Sequence, residues 1–153
     1  MDKSFWDLTD AGAFVGGLLD VLEEERRDAT ISPLGEAILD VLDLDARIAM
    51  EGFADIFYQM LTAERCRVVH RTLADMQLLA LASLFDEAFT IYCRGNRDIS
   101  AAEFEKLEPF SLDGEAAERF DEIAVLFQAP GSGFDRICEA TRDLALRRRA
   151  EIE

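Results

Sequence analysis

Residues 76–92 read MQLLALASLFDEAFTIY, and this stretch decides the fold. A helix built from it has apolar side chains on almost every side, with charge only at Asp86 and Glu87. Such a helix is typical of the buried centre of a helical protein. Gly95 and Asn96, which follow it, are residues that commonly end helices. The stretch therefore predicts the central helix of a bundle.

Helical periodicity continues on both sides of this stretch. Three further sets of residues each fall on one helical face: Phe14, Leu18, Val21, Leu22; Cys66, Val69, His70, Leu73; and Phe120, Ile123, Ala124, Phe127. Ser32, Thr62 and Ser100 are suited to cap helix N-termini. No segment alternates apolar and polar residues as a half-buried strand does. We expect one all-α domain over residues 1–153, a bundle of about seven helices.

The segment after Ser32-Pro33 predicts a helix, a second short helix and a bend. The first helix would bury Leu34, Ile38, Val41 and Leu42, with Glu36, Asp40 and Asp43 along its outer side. The second would run from Asp45 to Met50. Gly52 then suits a backbone conformation that other residues rarely adopt. Farther along, Pro109 and the segment Pro130–Gly133 are expected to interrupt helices.

The charge of the chain is strongly acidic. Its 32 acidic and 16 basic residues give a net charge of −16 in 153 residues. Residues 1–60 alone hold 14 acidic and 4 basic side chains. A phosphate backbone and an anionic membrane surface would both repel this charge, which disfavours nucleic acid and membrane as direct ligands. The field favours a basic protein as partner, although net charge also serves solubility alone.

Three cysteines and the N-terminal sequence bear on the compartment. Cys66, Cys93 and Cys138 form an odd set with wide spacing, so no disulfide framework is indicated. The N-terminus MDKSFWDLTD has acids where a signal peptide has bases. We expect a cytoplasmic protein.

The residues that could support catalysis are few. Cys66 and His70, the sole histidine, lie four residues apart and could be zinc ligands, a thiolate with its base, or a buried structural pair. Arg65, Arg67 and Arg71 beside them could bind a phosphate or pair with the acidic first third. No nucleophile elbow, dinucleotide fingerprint or Walker loop is present, and no Glu-x-x-His of a di-iron bundle. We expect no catalytic residue, metal or cofactor. The alternative is a ligand-binding protein or enzyme with a pocket around His70, Cys66 and the nearby arginines.

Phe5 and Trp6 form an aromatic pair near the N-terminus. Aromatic residues often anchor protein interfaces. The pair could equally dock onto the core of its own chain.

The stretch AMEGFADIFYQ, residues 49–59, has a pattern of glycine and aromatic residues at Gly52, Phe53, Phe57 and Tyr58. With this pattern, the segment from Leu34 to Tyr92 resembles a bacterial domain-of-unknown-function family. Its best-known member is a small, acidic, all-helical, dimeric DNA-mimic protein. Ala49, Met50 and Glu51 stand where the family pattern has asparagines and a glycine. The resemblance implies a helical fold, a homodimer and no known catalytic activity.

Mimicry of DNA is physically possible for acidic helices. Carboxylates at i and i+4 lie about 6 Å apart, close to the roughly 7 Å between phosphates along a strand. The candidate acidic residues are Glu23, Glu24, Glu36, Asp40, Asp43, Glu115, Glu118 and Glu122. We expect an acidic protein-interaction module that occupies the basic DNA-binding surface of a regulator or nuclease, or a basic toxin.

Overall fold

Helices account for the regular structure of the described residues. A computed structural model describes residues 4–108, 112–128 and 133–153, with the side chains of residues 4, 133 and 134 excepted. In that part of the chain the α-helices are α1 (Ala11–Arg27), α2 (Pro33–Asp55), α3 (Ala63–Asp75), α4 (Leu79–Tyr92), α5 (Ala101–Glu105), α6 (Gly114–Phe127) and α7 (Gly133–Arg147). Shorter elements are 3₁₀ helices at Ser4–Asp7 and Arg149–Glu151 and a π-helix at Ile56–Met60. These ranges contain no strand, so the predicted all-α fold is confirmed. Pro109 and residues 130–132 lie outside the described part.

Side-chain caps begin five of these helices. The predicted caps are confirmed: Ser32 Oγ accepts the Gly35 N–H at 3.0 Å, Thr62 Oγ1 that of Arg65 at 3.2 Å, and Ser100 Oγ that of Glu103 at 3.2 Å. Asp10 and Asp113 cap α1 and α6 in the same way, each at 2.8 Å. Each cap satisfies a backbone N–H that has no partner within its own helix.

The centre of the fold is α2, which packs against α1, α3, α6 and α7. The stretch over residues 76–92, which predicts the central helix, corresponds to α4. This helix packs mainly against α3 and α6. It begins at Leu79, because Met76 closes α3 and Gln77 has a φ of 63°. Its outer side leaves Leu79 63% exposed. Apolar content alone does not distinguish a helix that is covered all round from one with leucine and alanine on an open side.

A kink at Gly52 ends the straight part of α2. Residues 45–50 continue this helix, so the separate short helix predicted for Asp45–Met50 is wrong. The predicted bend is confirmed, because Gly52 has φ 76° and ψ −176°, a region that essentially only glycine adopts. Beyond the kink, the rings of Phe53 and Phe57 stack with centroids 5.9 Å apart.

An aromatic cluster forms around those two rings and joins distant parts of the chain. Phe53 contacts the ring of Phe127 at 5.5 Å, and Phe57 contacts Phe85 at 5.6 Å and Phe120 at 5.8 Å. The cluster therefore holds the end of α2 to α4 and α6. Of the motif residues, Phe53 and Phe57 are buried, whereas Tyr58 is 48% exposed.

The N-terminal aromatic pair docks onto its own chain. Phe5 and Trp6 are buried, stack on each other and pack against Phe14 of α1. The guanidinium of Arg149 lies 4.5 Å from the centroid of the Trp6 ring. Of the two possibilities for this pair, docking onto its own core is what the structure has.

None of the described helices combines the length and hydropathy needed to cross a bilayer.

The close approach of Phe5 to α1 explains why α1 contains Gly17. A Cβ added at Gly17 would lie 2.4 Å from the Cβ of Phe5, whereas one added at Gly16 would meet nothing within 4 Å. We expect Gly17→Ala to lower the free energy of unfolding by about 1–3 kcal/mol through overpacking. Gly16→Ala should raise it by about 0.5–1 kcal/mol, because alanine is the better helix former. Urea unfolding followed by circular dichroism measures both, and equal effects of the two substitutions would contradict this account.

Candidate functional site

Glu36 and Asp40 of α2 take part in an ion network with arginines from both neighbouring helices. Arg65 of α3 pairs with Glu36 at 2.7 Å and also with Asp40. Arg26 of α1 lies 3.4 Å from the other oxygen of Asp40. We call Glu36, Asp40, Arg26 and Arg65 the α2 ion network. The sequence left open whether the arginine cluster binds a phosphate or pairs with the acidic first third of the chain. Arg65 pairs with the acidic first third.

The expectation that Glu36, Asp40 and Asp43 line an outer side is wrong for Asp40, which is 4% exposed. Glu36 and Asp43 are half-buried. The reason is that α1 and α3 flank this side of α2 and bring arginines to it. Burial raises the pKa of the Asp40 carboxyl, although Arg65 and Arg26 act in the opposite direction. Burial also raises the pKa of Asp43.

The predicted acids of α1 and α6 have a different environment. Glu23, Glu24, Glu115 and Glu118 are exposed and make no ion pair within the described residues. Glu122 is exposed as well and pairs with Arg119 at 2.9 Å. That arginine also donates to Glu87 of α4 at 2.5 and 2.8 Å. The eight candidate acids thus divide into a buried or half-buried group on α2 and exposed groups on α1 and α6.

The outer side of α6 combines negative charge with exposed apolar surface. We call the exposed residues Glu115, Glu118, Asp121 and Glu122 the α6 acidic face. At helical spacing beyond them, Val125 is 72% exposed and Leu126 is 43% exposed. Sequence periodicity located the acids but gave no sign that these two apolar residues lie uncovered.

A pocket of about 360 Å³ lies between α3, α4 and the loop after α4. We call it the α3–α4 pocket. Its lining residues are Cys66, Arg67, His70, Arg71, Phe85, Asp86, Phe89, Arg97 and Asp98. The structure therefore brings together Cys66, His70, Arg67 and Arg71, as the alternative prediction required, and leaves Arg65 outside. The residues from α4 and the loop were missed, because nothing in their spacing relates them to α3.

The arginines of this pocket differ in how they are held. Arg67 donates to the carbonyl oxygens of Arg97 at 2.9 Å and of Ile99 at 3.0 Å, which fastens the loop to α3. Arg97 pairs with Asp86. The Arg71 side chain is 66% exposed, and its ion-pair partner Glu64 is 3.8 Å away. Arg71 therefore keeps its hydrogen-bond donors available.

The cysteines have the properties of core residues. Cys66, Cys93 and Cys138 are free and buried. Burial raises the pKa of the Cys66 thiol far above its ordinary value and that of Cys93 to about 11. A thiolate is the reactive form of cysteine, so neither is suited to act as a nucleophile at neutral pH. Among the described residues, no group of three or more His, Cys, Asp or Glu side chains is placed to hold a metal ion.

No protein-family model, curated protein or solved structure gives a significant match to this chain. The resemblance around Gly52 stays a prediction.

The raised pKa of Asp40 has a consequence for stability. The Asp40 carboxyl keeps its proton to a higher pH in the folded protein than in the unfolded chain, where aspartates titrate at about pH 4. The contribution of Asp40 to the free energy of unfolding should therefore fall as pH rises from about 4 through the raised pKa. Urea unfolding over this pH range should show the wild type losing stability relative to Asp40→Asn. Asp20→Asn, on the exposed side of α1, is the control. A wild-type advantage over Asp40→Asn that grows with pH would contradict the assignment.

Reaction with a thiol reagent tests whether the buried cysteines are unreactive in the folded protein. Because all three are buried, we expect the native protein to resist Ellman's reagent over minutes at neutral pH. After unfolding in guanidinium, three thiols per chain should react. Rapid reaction of one thiol in the native protein would instead identify an accessible, activated cysteine.

Proposed function

We propose that this protein is a non-enzymatic, acidic protein-interaction module that binds a basic protein through the outer side of α6. The observation that carries the proposal is the α6 acidic face together with exposed Val125 and Leu126. Specific interfaces combine an apolar centre with a polar rim. In such an interface Val125 and Leu126 would supply the apolar part and the carboxylates the polar rim.

Long-range electrostatics supports a basic partner. The net charge of −16 produces a field that attracts cations and repels anions at low ionic strength. Glu115 and Glu118 are exposed without an internal ion pair, so a partner's arginines would meet carboxylates that no cation of this chain already occupies. Electrostatic attraction of this kind speeds association, and the resulting binding weakens as the salt concentration rises.

A DNA-binding surface is the proposed target. Glu118 and Glu122 stand at i and i+4 on α6, a spacing of about 6 Å that approximates phosphates along a strand. Glu23 and Glu24 on α1 supply further exposed carboxylates. The partner would be a regulator, a nuclease or a toxin with a basic groove. The resemblance of Leu34–Tyr92 to a family with a DNA-mimic member supports the same class, and a homodimer with it.

Neutralising the α6 acidic face tests the proposal. The variant Glu115→Gln, Glu118→Gln, Glu122→Gln removes three charges from α6, and Asp135→Asn, Glu139→Gln, Asp143→Asn removes the same number from the exposed side of α7. Affinity capture from the cells of origin, followed by titration of the purified partner, gives the dissociation constants. We expect the α6 variant to bind at least about tenfold more weakly, from the loss of several charge contacts. The α7 variant should keep most of its affinity.

Competition with DNA and salt dependence complete this test. A labelled duplex should displace the protein from its partner, and binding should weaken between about 0.05 M and about 0.5 M salt as the Debye length shortens. Retention that ignores ionic strength, or equal binding by the two triple variants, would contradict the proposal.

A further inference from the structure

The α3–α4 pocket differs in charge from its surroundings. Three arginines and two aspartates line it, in a protein whose net charge is −16. A separate depression beside Tyr58 has Glu51 and Asp55 as its charged residues. We infer that the α3–α4 pocket binds a small organic monoanion with a hydrophobic body, a carboxylate of the arylacetate type. This inference is independent of the α6 acidic face.

The buried part of the pocket suits a hydrophobic body. Cys66, Phe85 and Phe89 form its base: Cys66 and Phe85 are fully buried beneath it, and Phe89, at 4% exposure, leaves a small apolar surface open to a ligand. The volume of about 360 Å³ lies near the lower end of the range for small-molecule sites, roughly 300–1,000 Å³. A cavity of about 150 Å³ already holds benzene, so this volume admits an aromatic ring with a short side chain.

The α3 side of the pocket suits the anionic group. Arg67, His70 and Arg71 stand at i, i+3 and i+4 on α3, which directs them to one side of the helix. Arg67 keeps its positive charge while its bonds to two carbonyl oxygens hold it in place. Arg71 makes no hydrogen bond within the described residues, so its guanidinium can donate two parallel bonds to a carboxylate.

The opposite side limits the charge of the ligand. Asp86 of α4 pairs with Arg97, whereas Asp98 in the loop makes no ion pair within the described residues. A second negative charge on the ligand would approach these carboxylates. The pocket should therefore favour a monoanion over inorganic phosphate or a polyphosphate.

The test uses phenylacetate as the probe, with phenylacetamide as its neutral counterpart and inorganic phosphate as the multiply charged one. Titrations of the ¹⁵N-labelled protein, followed by amide chemical shifts, give the affinity and the location together. We expect phenylacetate to bind with a dissociation constant in roughly the millimolar range, as is usual for so small a ligand. The shifts should concentrate at α3, α4 and the loop after α4. Phenylacetamide and inorganic phosphate should each bind at least tenfold more weakly, by order of magnitude.

Matched variants connect the affinity to single side chains. Arg71→Gln should weaken phenylacetate binding about tenfold, since a charge-assisted pair is lost from an exposed site where the fold does not depend on it. Arg136→Gln, an exposed arginine on α7, should leave binding unchanged. Asp98→Asn should strengthen binding severalfold by removing a repelling charge. Absence of phenylacetate binding, equal binding of the amide, or an Arg71→Gln variant with wild-type affinity would each overturn the inference.

Discussion

The fold depends on how a helix covered on most sides accommodates its own carboxylates. α2 packs against four other helices, and an unpaired charge in such a position is strongly unfavourable. Arg26 and Arg65 reach Asp40 from the two flanking helices, so the charge of Asp40 is offset by α1 and α3 together. The α2 ion network therefore joins three helices by charge where the aromatic cluster joins α2, α4 and α6 by ring contacts.

This arrangement divides the acidic residues into two classes. Glu36 and Asp40 on α2 are paired with arginines of the same chain, while the acids of α1 and the α6 acidic face meet solvent. A count of acids overstates the surface available to a partner, because part of the negative charge serves the fold. The α3–α4 pocket shows the converse, since Arg71 there has only a distant ion-pair partner inside the chain.

The sequence predicted local features better than the way in which they assemble. Ser32, Thr62 and Ser100 act through hydrogen bonds to residues three positions on, so adjacent sequence was enough to recognise them. Gly52 was recognisable because its conformation belongs to glycine. Whether α2 or α4 is the central helix depends on how many other helices pack against each. The periodicity of apolar residues within one helix does not contain that information. Asp40 lies on the polar side of its helix by pattern, yet arginines 14 residues before it and 25 after it make burial possible. Half of the α3–α4 pocket was predictable from the spacing on α3, and the half from α4 and the loop was not.

The two ends of α2 are each held at a set rotation about the helix axis. Asp40 must face Arg26 and Arg65, and Phe53 must face the rings of α4 and α6. Each residue of an α-helix turns it by about 100°, so inserting or deleting one residue between these points would misalign one end with its partners. The number of residues from Asp40 to Phe53 is thus under tighter constraint than their identity. Lineages of this protein should vary in length at the connections between helices, and keep this segment free of gaps.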